Sequence, residues 1–153
     1  MTDFPRSAHA ELARAGWHPG RRAPLEGIRP ELAMEGHSLT RAAEEFLAEY
    51  AGLRMKVRDP ASGAAADSFD FDAVGASSIP AHNVRRYEAA LGESLTPVGS
   101  AFGEVMTLLV SGSGAMYAVL DATLLHVGDD AAEAITVLCG NGELREVGGV
   151  NWD

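Results

Sequence analysis

Between Glu104 and Val127 three apolar runs of strand length follow one another almost without interruption: Glu104–Val110, Ala115–Asp121 and Leu124–Val127. The first two are separated only by Ser111-Gly112-Ser113-Gly114. Parallel neighbours need a crossover of a dozen or more residues, whereas antiparallel ones need only a tight turn. Runs joined this closely must therefore pair antiparallel, and a glycine-rich turn between two of them reads as a hairpin. The same turn has neither the Lys-Ser/Thr ending nor the following helix of a phosphate loop.

The rest of the chain supplies helices in runs rather than in regular alternation with strands. A first helix is expected from near Pro5 to Ala15, with Phe4, Ala8, Leu12 and Ala15 on one face and Gly16 past its end. Trp17 follows, the one large apolar group of a turn-rich exit, and is expected to anchor that connection on the core. A second helix is expected over 38–51, with Ser38 as N-cap and Leu39, Ala43, Phe46 and Tyr50 as its buried stripe. Met55 and Val57 alternate with Arg54, Lys56 and Arg58, the pattern of a half-buried strand. Residues 59–68 read as a loop, and Phe69 and Phe71 alternating with Asp70 and Asp72 read as a second strand.

A third helix is expected from Pro80 to Gly92 along Val84, Tyr87 and Leu91, followed by a turn over 95–99. The last helix follows Gly128, with Asp130 and Glu133 at capping-box spacing and Ala131, Ala134, Ile135 and Leu138 buried. The order excludes a doubly wound parallel sheet. The fold class expected is α+β, an antiparallel sheet with helices packed mainly on one face. With 153 residues and no internal repeat or linker, residues 1–153 read as a single domain.

Charge is distributed unevenly. Residues 1–58 hold nine Lys or Arg against eight acids, while residues 59–153 hold three basic residues against fourteen acids. A surface this acidic repels phosphate backbones and anionic lipid, so neither nucleic acid nor membrane is an expected partner. It attracts a basic protein. The opening residues lack a secretory pattern, no apolar run spans a bilayer, and one cysteine, Cys139, permits no internal disulfide. Together these suggest a cytoplasmic protein.

Chemistry is sparse. His9, His18, His37, His82 and His126 have no second His or Cys at metal-ligand spacing, and His126 reads as a packed or edge histidine. Asp70 and Asp72 lack a third oxygen donor for a cation site. No G-x-S-x-G elbow surrounds a serine, and Cys139 has no basic neighbour to activate it. No cofactor, no metal and no catalytic residue is expected.

Several fragments carry a resemblance. Ala15-Gly16-Trp17 followed by Pro19-Gly20-Arg21 resembles the opening of the third branch of the SUKH superfamily of bacterial immunity proteins. Glu45-Phe46-Leu47, then Glu49-Tyr50 and Gly52-Leu53, is similar to that branch's helix end. Pro97-Val98-Gly99, Met116-Tyr117, Leu125 with Gly128, and an Ala-rich helix ending at Gly140 continue the match from about residue 12 to 142. Ala51 departs from the pattern, standing where the family often has glycine at the helix C-cap.

The resemblance implies an α+β immunity protein of a polymorphic toxin system that binds and neutralises a cognate toxin domain, commonly a nuclease and therefore basic. Trp17, Phe46, Tyr50 and Gly99 read as core and turn positions rather than contacts. Partner contacts are expected at Asp70, Asp72, Glu104, Asp121, Asp129 and Asp130, with the last two also suited to capping a helix. Two other functions remain open, a SUKH-like regulatory adaptor or scaffold and a small hydrolase using Asp70, Asp72 or His126.

Overall fold

The computed structural model describes residues 4–58, 61–62, 64–103, 105–140 and 144–149. Among them the chain forms helices α1 (Arg6–Ala15), α2 (Ile28–Met34) and α3 (Arg41–Tyr50), then strands β1 (Arg54–Arg58) and β2 (Ala65–Asp70). Helices α4 (Ala73–Ala76) and α5 (Ala81–Leu91) lead into strands β3 (Leu95–Ala101), β4 (Met106–Ser111), β5 (Met116–Leu120) and β6 (Thr123–Gly128). Helix α6 (Ala131–Leu138) and strand β7 (Arg145–Gly149) complete it. The seven strands make one sheet in sequence order, every neighbouring pair antiparallel. The α+β class and the antiparallel sheet are those expected.

The pleat sends alternate side chains to opposite faces, and both faces are covered. On one, Phe69, Leu108, Val110, Met116, Ala118 and Val127 pack with Leu12 of α1, Phe46 and Tyr50 of α3, and Ile135 and Leu138 of α6. On the other, Leu95, Leu109, Tyr117, Val119 and Leu124 meet Val84 and Tyr87 of α5. Three of the longer helices share one face and α5 takes the other.

The residues of the family-like fragments hold this frame. Phe46 lies edge-on to Phe71 at 5.0 Å and beside Tyr50 at 5.0 Å, so the stripe of α3 and the residue just past β2 form one aromatic cluster. Trp17 is buried, and its indole N–H donates to Glu49 Oε2 at 3.0 Å. Arg21 donates to the carbonyls of Glu49 and Ala51, each at 2.7 Å, which satisfies the open C-terminal end of α3. Ala51 has φ −57 and ψ 138, an ordinary extended conformation, and the left-handed residue is Gly52 at φ 84. The departure at Ala51 therefore leaves the helix end intact.

The structure corrects several boundaries. Pro5 and Pro80 precede α1 and α5 as N-cap residues, one place before the first helical residue. The N-cap of α3 is Thr40, whose hydroxyl accepts from Ala43 N at 3.1 Å, while the carbonyl of Ser38 accepts from Thr96 Oγ1 on β3. Segment 95–99 is not a turn but the start of β3. A register shift between Pro97 and Gly99 absorbs the proline, which has no N–H for the ladder. Strand β2 begins at Ala65, inside the expected loop, because Asp67 and Ser68 pair with Val57 and Lys56. It ends at Asp70, so Asp72 does not share a strand with Asp70.

Helices α2 and α4 and strand β7 were not expected. Only Leu32 of α2 is buried, α4 is a single turn, and Val147 in β7 is exposed, so none carries a readable apolar period.

Candidate functional site

On the α5 face, the pairings Asp70 with Ser100, Ser100 with Thr107, and Thr107 with Val119 place four side chains in one row across β2 to β5. Helix α5 covers Leu95, Leu109 and Val119, while Asp70, Ser100 and Thr107 are only half-buried and floor a groove. One part, about 320 Å³, lies among Asp70, Asp72, Ser78, Ile79, Ser100 and Thr107. The next, about 440 Å³, lies among Ile79, Asn83, Val105, Thr107, Val119 and Asp121. Ile79 and Thr107 belong to both, so the two parts are continuous.

Two of the carboxylates along it, those of Asp70 and Asp72, are fixed by internal donors. Asp70 Oδ2 accepts from Ser100 Oγ at 3.0 Å, and its Oδ1 accepts from the backbone N–H of Asp72 at 3.0 Å. Asp72 Oδ1 accepts from Gly75 N at 3.0 Å as the N-cap of α4. Asp121 adopts φ 52 in the turn between β5 and β6, a conformation that aspartate tolerates better than most residues. Its carbonyl accepts from Tyr87 Oη at 2.7 Å. Burial raises the Tyr87 pKa and the Asp121 charge raises it further, so the phenol stays a donor. Val105, 59% exposed, adds an apolar group to the lining.

Of the six acids singled out from the sequence, Asp70, Asp72 and Asp121 thus line the groove, the first two in one part and Asp121 in the other. Glu104 lies outside the described residues. Asp129 and Asp130 stand elsewhere, at the junction of β6 and α6. Strand β6 is four strands from β2, roughly 19 Å at the usual strand spacing. Asp70 and Asp72 therefore do not converge with His126 on one centre. Asp130 Oδ1 accepts from Glu133 N at 2.8 Å and caps α6.

His126 is packed as expected, edge-on to Tyr117 at 5.5 Å, but it is not without partners. Its Nε2 lies 2.9 Å from Asp129 Oδ1, and one donor atom each of His126, Asp129 and Glu133 lie within 4.8 Å of one another. Its neighbours are not a second His or Cys but the carboxylates of Asp129, just before α6, and Glu133, in its first turn.

Ser100, Thr107, Ile79, Asn83 and Val105 were not singled out from the sequence. Only the strand register places the first two beside Asp70. Cys139 is half-buried, and burial, with a smaller contribution from Glu11, pushes its thiol up to about 12. It is therefore a poor nucleophile near neutral pH. Among the described residues, no helix is long and apolar enough to cross a membrane.

A family model described as SUKH-3 immunity protein matches residues 4–141. No curated protein and no solved structure matches the chain significantly.

Proposed function

This chain belongs to the SUKH-3 immunity protein family, and we propose that it neutralises a basic nuclease toxin domain by seating a cationic surface of that domain on the acidic groove. The family supports an immunity role and implies a cognate toxin as partner. The observation that carries the finer reading is that Asp70, Asp72 and Asp121 line the two continuous parts of one groove.

Two physical arguments support it. A nuclease grips phosphates with Lys and Arg, so its substrate-binding surface is cationic and complements three carboxylates. The carboxylates of Asp70 and Asp72 are already held by Ser100, the Asp72 N–H and the Gly75 N–H, so little side-chain freedom is lost on binding. Val105 adds an exposed apolar contact of the kind that anchors interfaces.

The test uses a candidate toxin domain sought among the genes that flank this one. Wild-type protein is expected to abolish its nuclease activity at one-to-one stoichiometry. The double variant Asp70→Asn/Asp72→Asn is expected to associate several-fold more slowly at low salt and to lose most of the salt dependence of the on-rate. Asparagine caps helices as well as aspartate, so α4 is retained. On-rates equal to wild type at low salt would remove the groove from the interface. Failure to bind that toxin at all would favour the adaptor reading.

A further inference from the structure

We propose that His126, Asp129 and Glu133 form an exchangeable binding site for a divalent transition-metal ion of the zinc type, separate from the acidic groove. The histidine comes from β6, and the carboxylates flank the start of α6, so two regular elements converge on one point. Their donor atoms lie within 4.8 Å of one another. Ligands about 2.0–2.2 Å from a shared zinc stand roughly 3.3–3.6 Å apart, so small side-chain rotations close the site. An imidazole with two carboxylates suits zinc, cobalt or manganese better than calcium or magnesium, which prefer all-oxygen shells.

A second observation concerns Glu133. In a complete capping box its carboxylate would turn back to the Asp130 N–H. Only half of that box exists: Asp130 accepts from Glu133 N. Among the described residues the Glu133 carboxylate has no hydrogen-bond or ion-pair partner, and it approaches His126 and Asp129 instead.

Local charge favours a cation. Asp129, Asp130 and Glu133 crowd one helical turn, and His126 is the one basic group paired with them among the described residues. Arg145 sits opposite His126 in the β6–β7 pairing but is exposed and makes no ion pair with them. The same negative field reaches Tyr117, whose pKa is raised by burial first and then by Glu93 and Asp129.

Imidazole and carboxylates supply three ligands and leave at least one position to water. Asp129 is 79% exposed, so the ion exchanges readily with solvent. An ion bound here ties the end of β6 to α6, and any ion that binds only the folded chain raises its melting temperature.

The experiment titrates chelator-treated protein with zinc chloride and with cobalt chloride. One ion per chain, a melting temperature raised by several degrees and reversed by EDTA, and visible cobalt absorption are expected. His126→Ala should reduce affinity at least tenfold, and so should Glu133→Gln, whose side chain is exposed and whose fold is not in question. Asp130→Asn should leave binding unchanged. No heat and no melting shift at millimolar zinc would overturn the proposal. So would a shift that survives in Glu133→Gln, since the ion would then sit elsewhere.

Discussion

Gly99 packs directly against the backbone of Asp70: a Cβ placed on Gly99 would stand 2.0 Å from the Asp70 carbonyl oxygen and 2.9 Å from the Phe71 Cα. The contact is between backbones, so no flexible side chain can yield. Gly99→Ala must therefore part β2 from β3 and is expected to cost at least about 3 kcal/mol, the upper end for overpacking. Urea denaturation checks it. A midpoint like that of wild type would mean the strands separate at no cost.

Arg21 reaches two carbonyls at the end of α3 with one planar guanidinium. Arg21→Ala is expected to lose about 1.5–3 kcal/mol, the range for hydrogen bonds to a charged group. Arg21→Lys should recover only part of it, because a point charge on a flexible stem cannot span both oxygens in a fixed fork. Equal denaturation midpoints for Arg21 and Lys would contradict a two-point contact.

Asp129 and Asp130 are neighbours with different roles. Asp130 caps α6 and Asp129 pairs with His126. Asp130→Ala should cost about 0.5–2 kcal/mol, as for loss of a helix N-cap. Asp129→Ala should cost less than about 1 kcal/mol, as for an exposed ion pair. Only Asp130 stands at capping-box spacing from Glu133, so the ranking of the two variants' melting temperatures is the informative measurement.

Cys139 titrates at about 12 in the folded chain against an ordinary 9.0. The folded state thus holds a proton that the unfolded state releases. Its contribution is fully present below pH 9 and is lost as pH rises from there through about 12. Tyr87 and Tyr117, both raised, act in the same direction. Stability should fall with pH above 9, less steeply in Cys139→Ala. A thiol reagent at pH 8 should label Cys139 only on unfolding, and rapid labelling of the native protein would contradict the shift.

How much of this could be read from the chain depended on whether burial left a period. Phe46 and Tyr50 recur at helical spacing because α3 buries one stripe, and Leu108 to Val110 alternate between two covered faces. Strand β3 was hidden because Pro97 and Gly99 are turn residues by propensity, and only its bulge and the close approach to Asp70 explain them in a strand. Asp70, Asp72 and Asp121 were identifiable as acids. Their place along one groove was not, since it depends on register and on Asp72 leaving the strand to cap α4. The capping-box spacing of Asp130 and Glu133 is realised in its Asp130 half, which accepts from Glu133 N, while the Glu133 carboxylate lies near donor atoms of His126 and Asp129.

The strand order has a consequence for timing. Each strand of the sheet is hydrogen-bonded to the one translated immediately before it, so the sheet can grow from β1 as the chain leaves the ribosome. Four of the six steps close a short loop, which carries a small entropic cost and favours rapid folding; the other two bridge α4 with α5, and α6. The groove floor spans β2 to β5 and its last carboxylate, Asp121, follows β5 directly. The acidic surface therefore needs only consecutive pairings, and neither β6 nor β7 contributes a strand to its floor.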